Sequence, residues 1–257
     1  MSRAKRHYVP GHVWHITHRC HKRAFLLKFA KDRRRWMEWL YQAKKRCRGL
    51  SVLDYMVTSN HIHLLVFDNG EHNIIPDSIK LVAGRTGQEY NIRKKIKGAF
   101  WQDRYHATAV ESNRHLRQCI AYIDMNMVRA GVVDHPGKWE CCGYNEIQNP
   151  RIRKGIIDFD RLMGLLGFET YEQLKQAHFK WVDSAIQAEN KGREAKWTQS
   201  IAVGSEPFIE KVKEALGFRA RGRKIRRAGD SFELRESLKP YDTTNAFASG
   251  NTFLWDQ

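Results

Sequence analysis

The chain has 257 residues, with 45 Lys and Arg against 28 Asp and Glu, a formal charge of +17. That length buries a full core in one large or two modest domains, and so large a positive excess favours a polyanion, nucleic acid first, as partner. It argues against a metal-binding module unconnected with nucleic acid. No run approaches the eighteen or so apolar residues of a membrane span, and the basic start, Met1 to Arg6, leads into no apolar signal core, so a cytoplasmic protein that needs no membrane is expected.

Taken in order, His12 to Cys20 alternates, with Trp14 and Ile16 on one face and His15, Thr17 and Arg19 on the other, as in a half-buried strand. Phe29 to Arg48 reads as a basic amphipathic helix stopped by Gly49. Leu50 to Val57 and His61 to Phe67 read as strands, and the short Thr58-Ser59-Asn60 link between them predicts an antiparallel hairpin. Asp77 is the expected cap of a second helix running to about Lys97, although Gly84 and Gly87 weaken its first half. Phe100 to Val110 is the fourth strand, and a helix around Tyr122 ends at Gly131. The order strand, helix, strand, strand, helix, strand, helix predicts an α+β fold: a ferredoxin-like antiparallel sheet with helices on one face. Ile62, Leu64 and Val66 then face the helices, leaving His61 and His63 on the open face.

Tyr144 to Gly155 reads as a basic linker, which divides the chain into residues 1–148 and a basic, mostly helical extension, residues 149–257. In the extension Asp158 to Leu166, Thr170 to Ala188 and Pro207 to Leu216 read as helices; Arg219 to Arg227 is a basic arm, and the tail from Tyr241 is polar and loose. The five cysteines form no Cys-x-x-Cys, and the adjacent Cys141 and Cys142 are sterically awkward to bridge, so ordinary reduced thiols are expected.

Two short motifs carry chemistry. A strand's period of two puts His61 and His63 on one face, where their imidazoles can converge on one ion. On the helix, four-residue spacing stacks the phenol of Tyr122 over the carboxamide of Asn126. At about 100° per residue, Leu116, Cys119, Ile120, Ile123, Met127 and Ala130 form the core stripe, so Tyr122, Asn126 and Arg129 make a polar flank beside it. Singly, each motif also fits an ordinary strand or a tyrosine packed at a core boundary; together with the charge they describe a metal-assisted nucleophile. A free tyrosine titrates near pH 10, so attack on a phosphodiester needs help with charge. Mg²⁺ or Mn²⁺ on His61, His63 and Asn126 supplies it, the imidazole pair leaning toward Mn²⁺. Arg19, Arg85, Arg104 and Arg129 are candidate phosphate grips, Trp101 and Tyr105 candidate stacking platforms for unpaired bases, and Arg219, Arg221 and Arg223 lie on the arm expected to follow the DNA backbone.

Asn60-His61-Ile62-His63-Leu64-Leu65, Phe100-Trp101-Gln102-Asp103-Arg104-Tyr105 and Tyr122-Ile123-Asp124-Met125-Asn126-Met127-Val128-Arg129 resemble the single-tyrosine transposases of the HUH endonuclease superfamily, more narrowly the REP-associated tyrosine transposases of bacteria. Arg6 to Gly11 and His15 to Arg19 also look like that family's first strand, and the resemblance spans about residues 6 to 148. Thr58-Ser59 stands where the family reads Met-Pro, and Met127 replaces a proline, so the helix is expected to run unbroken through Asn126. The resemblance implies a bacterial, nucleoid-associated enzyme that cleaves and rejoins single-stranded hairpin DNA of the repetitive extragenic palindrome type through a 5′-phosphotyrosine at Tyr122. Monomer and homodimer are both compatible with it. Two rivals stand beside this reading: a non-catalytic hairpin-binding relative, and a two-histidine phosphoesterase suggested by His15-Ile16-Thr17, which His61-Ile62-His63 disfavours.

Overall fold

The computed structural model describes residues 9–70, 73–188 and 192–236. Arg6-His7-Tyr8 and the tail from Tyr241 lie outside the described residues. The first half of the chain is β1 (Val13–Arg19), α1 (Ala30–Arg46), β2 (Leu50–Val57), β3 (His61–Asp68), α2 (Ile74–Lys94), β4 (His106–Val110), α3 (Arg114–Asp124), α4 (Asn126–Arg129) and α5 (Gly143–Gln148). The second half is α6 (Phe159–Leu166), α7 (Tyr171–Gln187), α8 (Lys196–Gln199), β5 (Ala202–Gly204), α9 (Glu206–Leu216), β6 (Arg223–Ala228) and β7 (Ser231–Glu236).

Seven strands form one sheet in the order β2-β3-β1-β4-β5-β7-β6. The first four pair antiparallel, and the β1-α1-β2 crossover with β3 between its strands is the ferredoxin-like arrangement. Register sets the two faces: Thr17 lies opposite His63 and His106, and Arg19 opposite His61, so these side chains share one face. Trp14, Ile16, His18, Ile62 and Leu64 share the other. That second face takes the long helices, Trp101 bridging it to α2 by stacking on His18 and donating its Nε1 hydrogen to the Ala83 carbonyl. In α1 the buried residues Trp36, Met37, Leu40 and Ala43 recur at helical spacing and join the same core.

The histidine face is not open. Tyr122 of α3, Arg161 of α6, which lies over the Phe67 ring, and the carbonyl of Trp197 all pack on it, and His63 is 2 % exposed. The covering layer comes partly from the C-terminal part, whose docking no periodicity in β3 announces.

That part is mainly helical and also lengthens the sheet. β5 adds parallel to β4, Ala109 N–H donating to the Ile201 carbonyl and Glu111 N–H to the Val203 carbonyl, and β7 and β6 follow. The basic arm is therefore partly a strand, β6. The expected linker falls on α5, whose Tyr144, Glu146 and Ile147 are buried, because Glu146 gathers the Ile156 and Ile157 amides and the Tyr55 hydroxyl. α6 and α7 start where the caps predict, at Asp158 and Thr170, the latter in a complete capping box with Gln173. α2 is capped by Asn73, with Asp77 in its first turn, and β4 is shorter than Phe100 to Val110 because Trp101 pairs instead with Cys20. All five cysteines are free thiols.

Candidate active site

A cavity of about 540 Å³ opens where β1, β3, α3 and the residues just before α8 meet. His61 and His63 line it, as do Tyr122 and Asn126. The two histidine rings are 5.1 Å apart, and the Tyr122 ring is 6.0 Å from that of His63. The spacing argument thus brings all four residues together.

The rings are held from behind. His61 Nδ1 lies 2.7 Å from Asn60 Oδ1, and Asn60 Nδ2 donates to the Arg23 carbonyl, which fixes the amide so that its oxygen accepts the His61 Nδ1 hydrogen. His61 Nε2 is left as a bare lone pair. His63 Nδ1 lies 2.9 Å from His15 Nε2, and His63 Nε2 lies 3.0 Å from Asn126 Nδ2. Burial, reinforced by the Arg19 and Arg193 charges, pushes His61 down to about 4, and burial with the neighbouring bases takes His63 well below the ordinary histidine range. Both are neutral at pH 7, the form that binds metal.

This set fits a hard divalent ion. In an octahedron with bonds of about 2.1 Å, neighbouring ligand atoms stand about 3 Å apart, which matches the distance from His63 Nε2 to the Asn126 carboxamide; turning that amide over presents its oxygen. Among the described residues no three or more His, Cys, Asp or Glu side chains are grouped to hold a metal.

Tyr122 is 5 % exposed, less than its place beside the core stripe implies, because Trp197 packs within 6.2 Å of its ring. The side chain borders the cavity. Burial raises its pKa, and the Arg129 and Arg193 charges pull the other way. The helix does break after Asp124 despite Met127: α3 ends there, and the Tyr122 carbonyl accepts from Arg129 Nη2 at 2.7 Å.

Arg19, Arg104 and Arg129 line the cavity as expected. Arg23 and Arg193 join them, Arg23 held with Lys22 at positive φ (59° and 52°), a costly backbone for residues with a Cβ. Nothing local in the sequence marks Arg23 or Arg193. The other candidates lie elsewhere. Tyr105 is buried against the edge of His18, and Trp101 has one face taken by stacking on His18. Arg85 lies over Trp39, outside the cavity. Arg219 is exposed, and its carbonyl accepts from Arg223; Arg221 and Arg223 border a separate, open groove with Glu210 and Glu214. Among the described residues no helix is long and apolar enough to cross a membrane.

Residues 8–126 match the family described as "Transposase IS200 like". Two solved structures are similar to the chain. One, a REP-associated tyrosine transposase bound to a REP hairpin, is 19 % identical with a TM-score of 0.48, over 62 % of this chain and 95 % of that one. The other, a putative transposase from Deinococcus radiodurans, is 20 % identical with a TM-score of 0.34, over 45 % of this chain and 90 % of that one. No curated protein matches the sequence.

Proposed function

We propose that the chain, whose residues 8–126 match the IS200-like transposase family, is a metal-dependent single-strand DNA endonuclease and transesterase that cuts and rejoins hairpin DNA through Tyr122. The observation that carries the proposal is the cavity itself, where one phenol stands beside two imidazoles, a carboxamide and five arginines. His61, His63 and Asn126 would hold Mg²⁺ or Mn²⁺, which when bound polarises a scissile phosphate and stabilises developing negative charge. Tyr122 Oη forms a bond to phosphorus as the bond to the 3′ oxygen breaks; the phenol proton is lost and the leaving 3′ oxygen ends as a hydroxyl. Arg129 and Arg193 favour the phenolate that burial opposes. The phosphotyrosine keeps the ester bond energy, so another strand's 3′ hydroxyl can reverse the step without ATP, as a transposase requires. The arginine lining suits a phosphate backbone, and the β6 region with Arg219, Arg221 and Arg223 gives a second basic surface for the stem.

The test is a denaturing gel of the full chain with a single-stranded hairpin oligonucleotide labelled at either end. Cleavage dependent on Mg²⁺ or Mn²⁺ is expected, with the 3′-labelled fragment bound to protein and that adduct lost in Tyr122→Phe. Hairpin binding without cleavage in any metal, unchanged by Tyr122→Phe, would instead establish a non-catalytic binding protein.

A further inference from the structure

We propose that His15 is a positioning residue which, with the backbone carbonyl of Trp197, fixes the tautomer of His63 and so aims its Nε2 lone pair into the cavity. The consequence for metal binding rests on the ligand role assigned to His63 above; the tautomer itself does not.

The argument follows the protons. A peptide carbonyl only accepts, and the Trp197 carbonyl lies 2.8 Å from His15 Nδ1, so that nitrogen carries the hydrogen. A neutral imidazole has one N–H, which leaves His15 Nε2 as an acceptor. His15 Nε2 is 2.9 Å from His63 Nδ1, so His63 must donate from Nδ1 and keep Nε2 bare. The ring planes are 11° apart with centroids 5.1 Å apart, which places the rings edge to edge in almost one plane, as an in-plane N–H···N bond needs. Both rings are buried, and the charged groups acting on His63 are all bases, so no carboxylate stabilises an imidazolium there.

The anchor is itself held. Thr108 Oγ1 on β4 donates to the Ser200 carbonyl at 2.6 Å and lies 3.3 Å from the Trp197 carbonyl, so the strand pins the segment that supplies the first acceptor. Trp197 lies past residue 126, in the C-terminal part. A backbone atom of that part therefore sets where a hydrogen sits two rings away, and His61 receives the equivalent service locally from Asn60.

The experiment uses the full chain, free of metal, labelled with ¹⁵N-histidine. Long-range ¹H–¹⁵N correlation at pH 7 should show His15 and His63 both as Nδ1–H tautomers, against the Nε2–H form that free neutral histidine prefers. An Nε2–H tautomer at His63 overturns the proposal whatever the protein does with metal or DNA. Mn²⁺ titration calorimetry then compares His15→Leu, which cannot accept from His63, with His15→Gln, whose amide can accept from His63 and donate to Trp197. The Leu variant should bind Mn²⁺ about 10- to 100-fold more weakly and the Gln variant should recover most of the loss. A folded Leu variant with wild-type Mn²⁺ affinity also overturns it, and should that variant fail to fold, the wild-type tautomers decide. Wild-type protein that shows both Nδ1–H tautomers and binds no Mn²⁺ upholds the tautomer assignment while removing the ligand set assigned above.

Discussion

Arg129 holds Tyr122 at two points: its Nη2 donates to the Tyr122 carbonyl at 2.7 Å, and its guanidinium carbon lies 4.1 Å from the centre of the phenol ring. The first contact satisfies a carbonyl that has no Asn126 amide hydrogen bond, because α3 ends before it would form. The second fixes the ring plane and places positive charge against a group that must become anionic. Replacing Arg129 with alanine is expected to destabilise the fold by about 1–3 kcal/mol, since a largely buried carbonyl loses its partner, and to slow adduct formation by more than the stability loss explains. Urea melts together with single-turnover cleavage at saturating DNA separate the two effects.

Asn60 acts on the first metal-ligand candidate as His15 acts on the second. Asn60→Ala removes the acceptor of the His61 Nδ1 hydrogen and leaves Thr58 Oγ1, 2.9 Å from the same nitrogen, as its remaining neighbour. Mn²⁺ affinity should fall about 10-fold or more while hairpin binding without metal stays near wild type. Calorimetry beside a gel shift in chelator tests this, and equal loss in both assays would mean the loop had collapsed.

Acid should weaken the metal-free protein. His15 is pushed to about 3 and His61 to about 4 by burial, and His63 is lowered well below the ordinary range, so all three stay neutral in the fold while their unfolded counterparts take up protons below about 6.5. Stability contributed by each is whole above pH 6.5 and declines as pH falls toward the folded values, by about 2 kcal/mol for His15 at pH 5. Asp54, raised by burial and by the Asp124 charge, works in the opposite sense by holding a proton in the fold. Denaturation midpoints should therefore drop between pH 7 and pH 5, and a flat or rising profile would contradict the enclosed imidazoles.

DNA affinity should depend steeply on salt. With about six phosphates neutralised, log affinity falls on log salt with a slope near −4 for a single strand. Arg193→Ala should reduce the magnitude of that slope by about one phosphate's share, near 0.7, if its cavity position means contact with the strand. Fluorescence anisotropy across a salt series reads both values.

What was legible in the sequence was local. The i,i+2 histidines and the i,i+4 tyrosine and asparagine follow from the geometry of one strand and one helix, and the caps at Asp158 and Thr170 mark helix starts by residue type. Residues that enter the site through distant packing were not legible. Arg23 arrives on a turn whose positive φ no basic residue advertises, and Arg193 and Trp197 arrive because the chain folds back over a histidine face that alternation alone leaves bare. Tyr105 was misplaced for a related reason: alternation ranks strand faces without saying which aromatic stays uncovered, and here it is buried beside His18. β6 escaped because arginine and lysine fill both of its faces, so Ile225 alone shows which side turns inward; β5, three residues long, has no period to read.

The position of β6 bears on how identical copies of this molecule meet. Among the described residues the sheet grows past β4 and ends on a border strand carrying Arg223, Lys224, Arg226 and Arg227. Unpaired strand borders recruit further strands, and a row of like charges along one makes the approach of an identical border unfavourable. Neutralising these cations with uncharged residues should therefore lower the protein concentration at which aggregation begins, even where DNA plays no part.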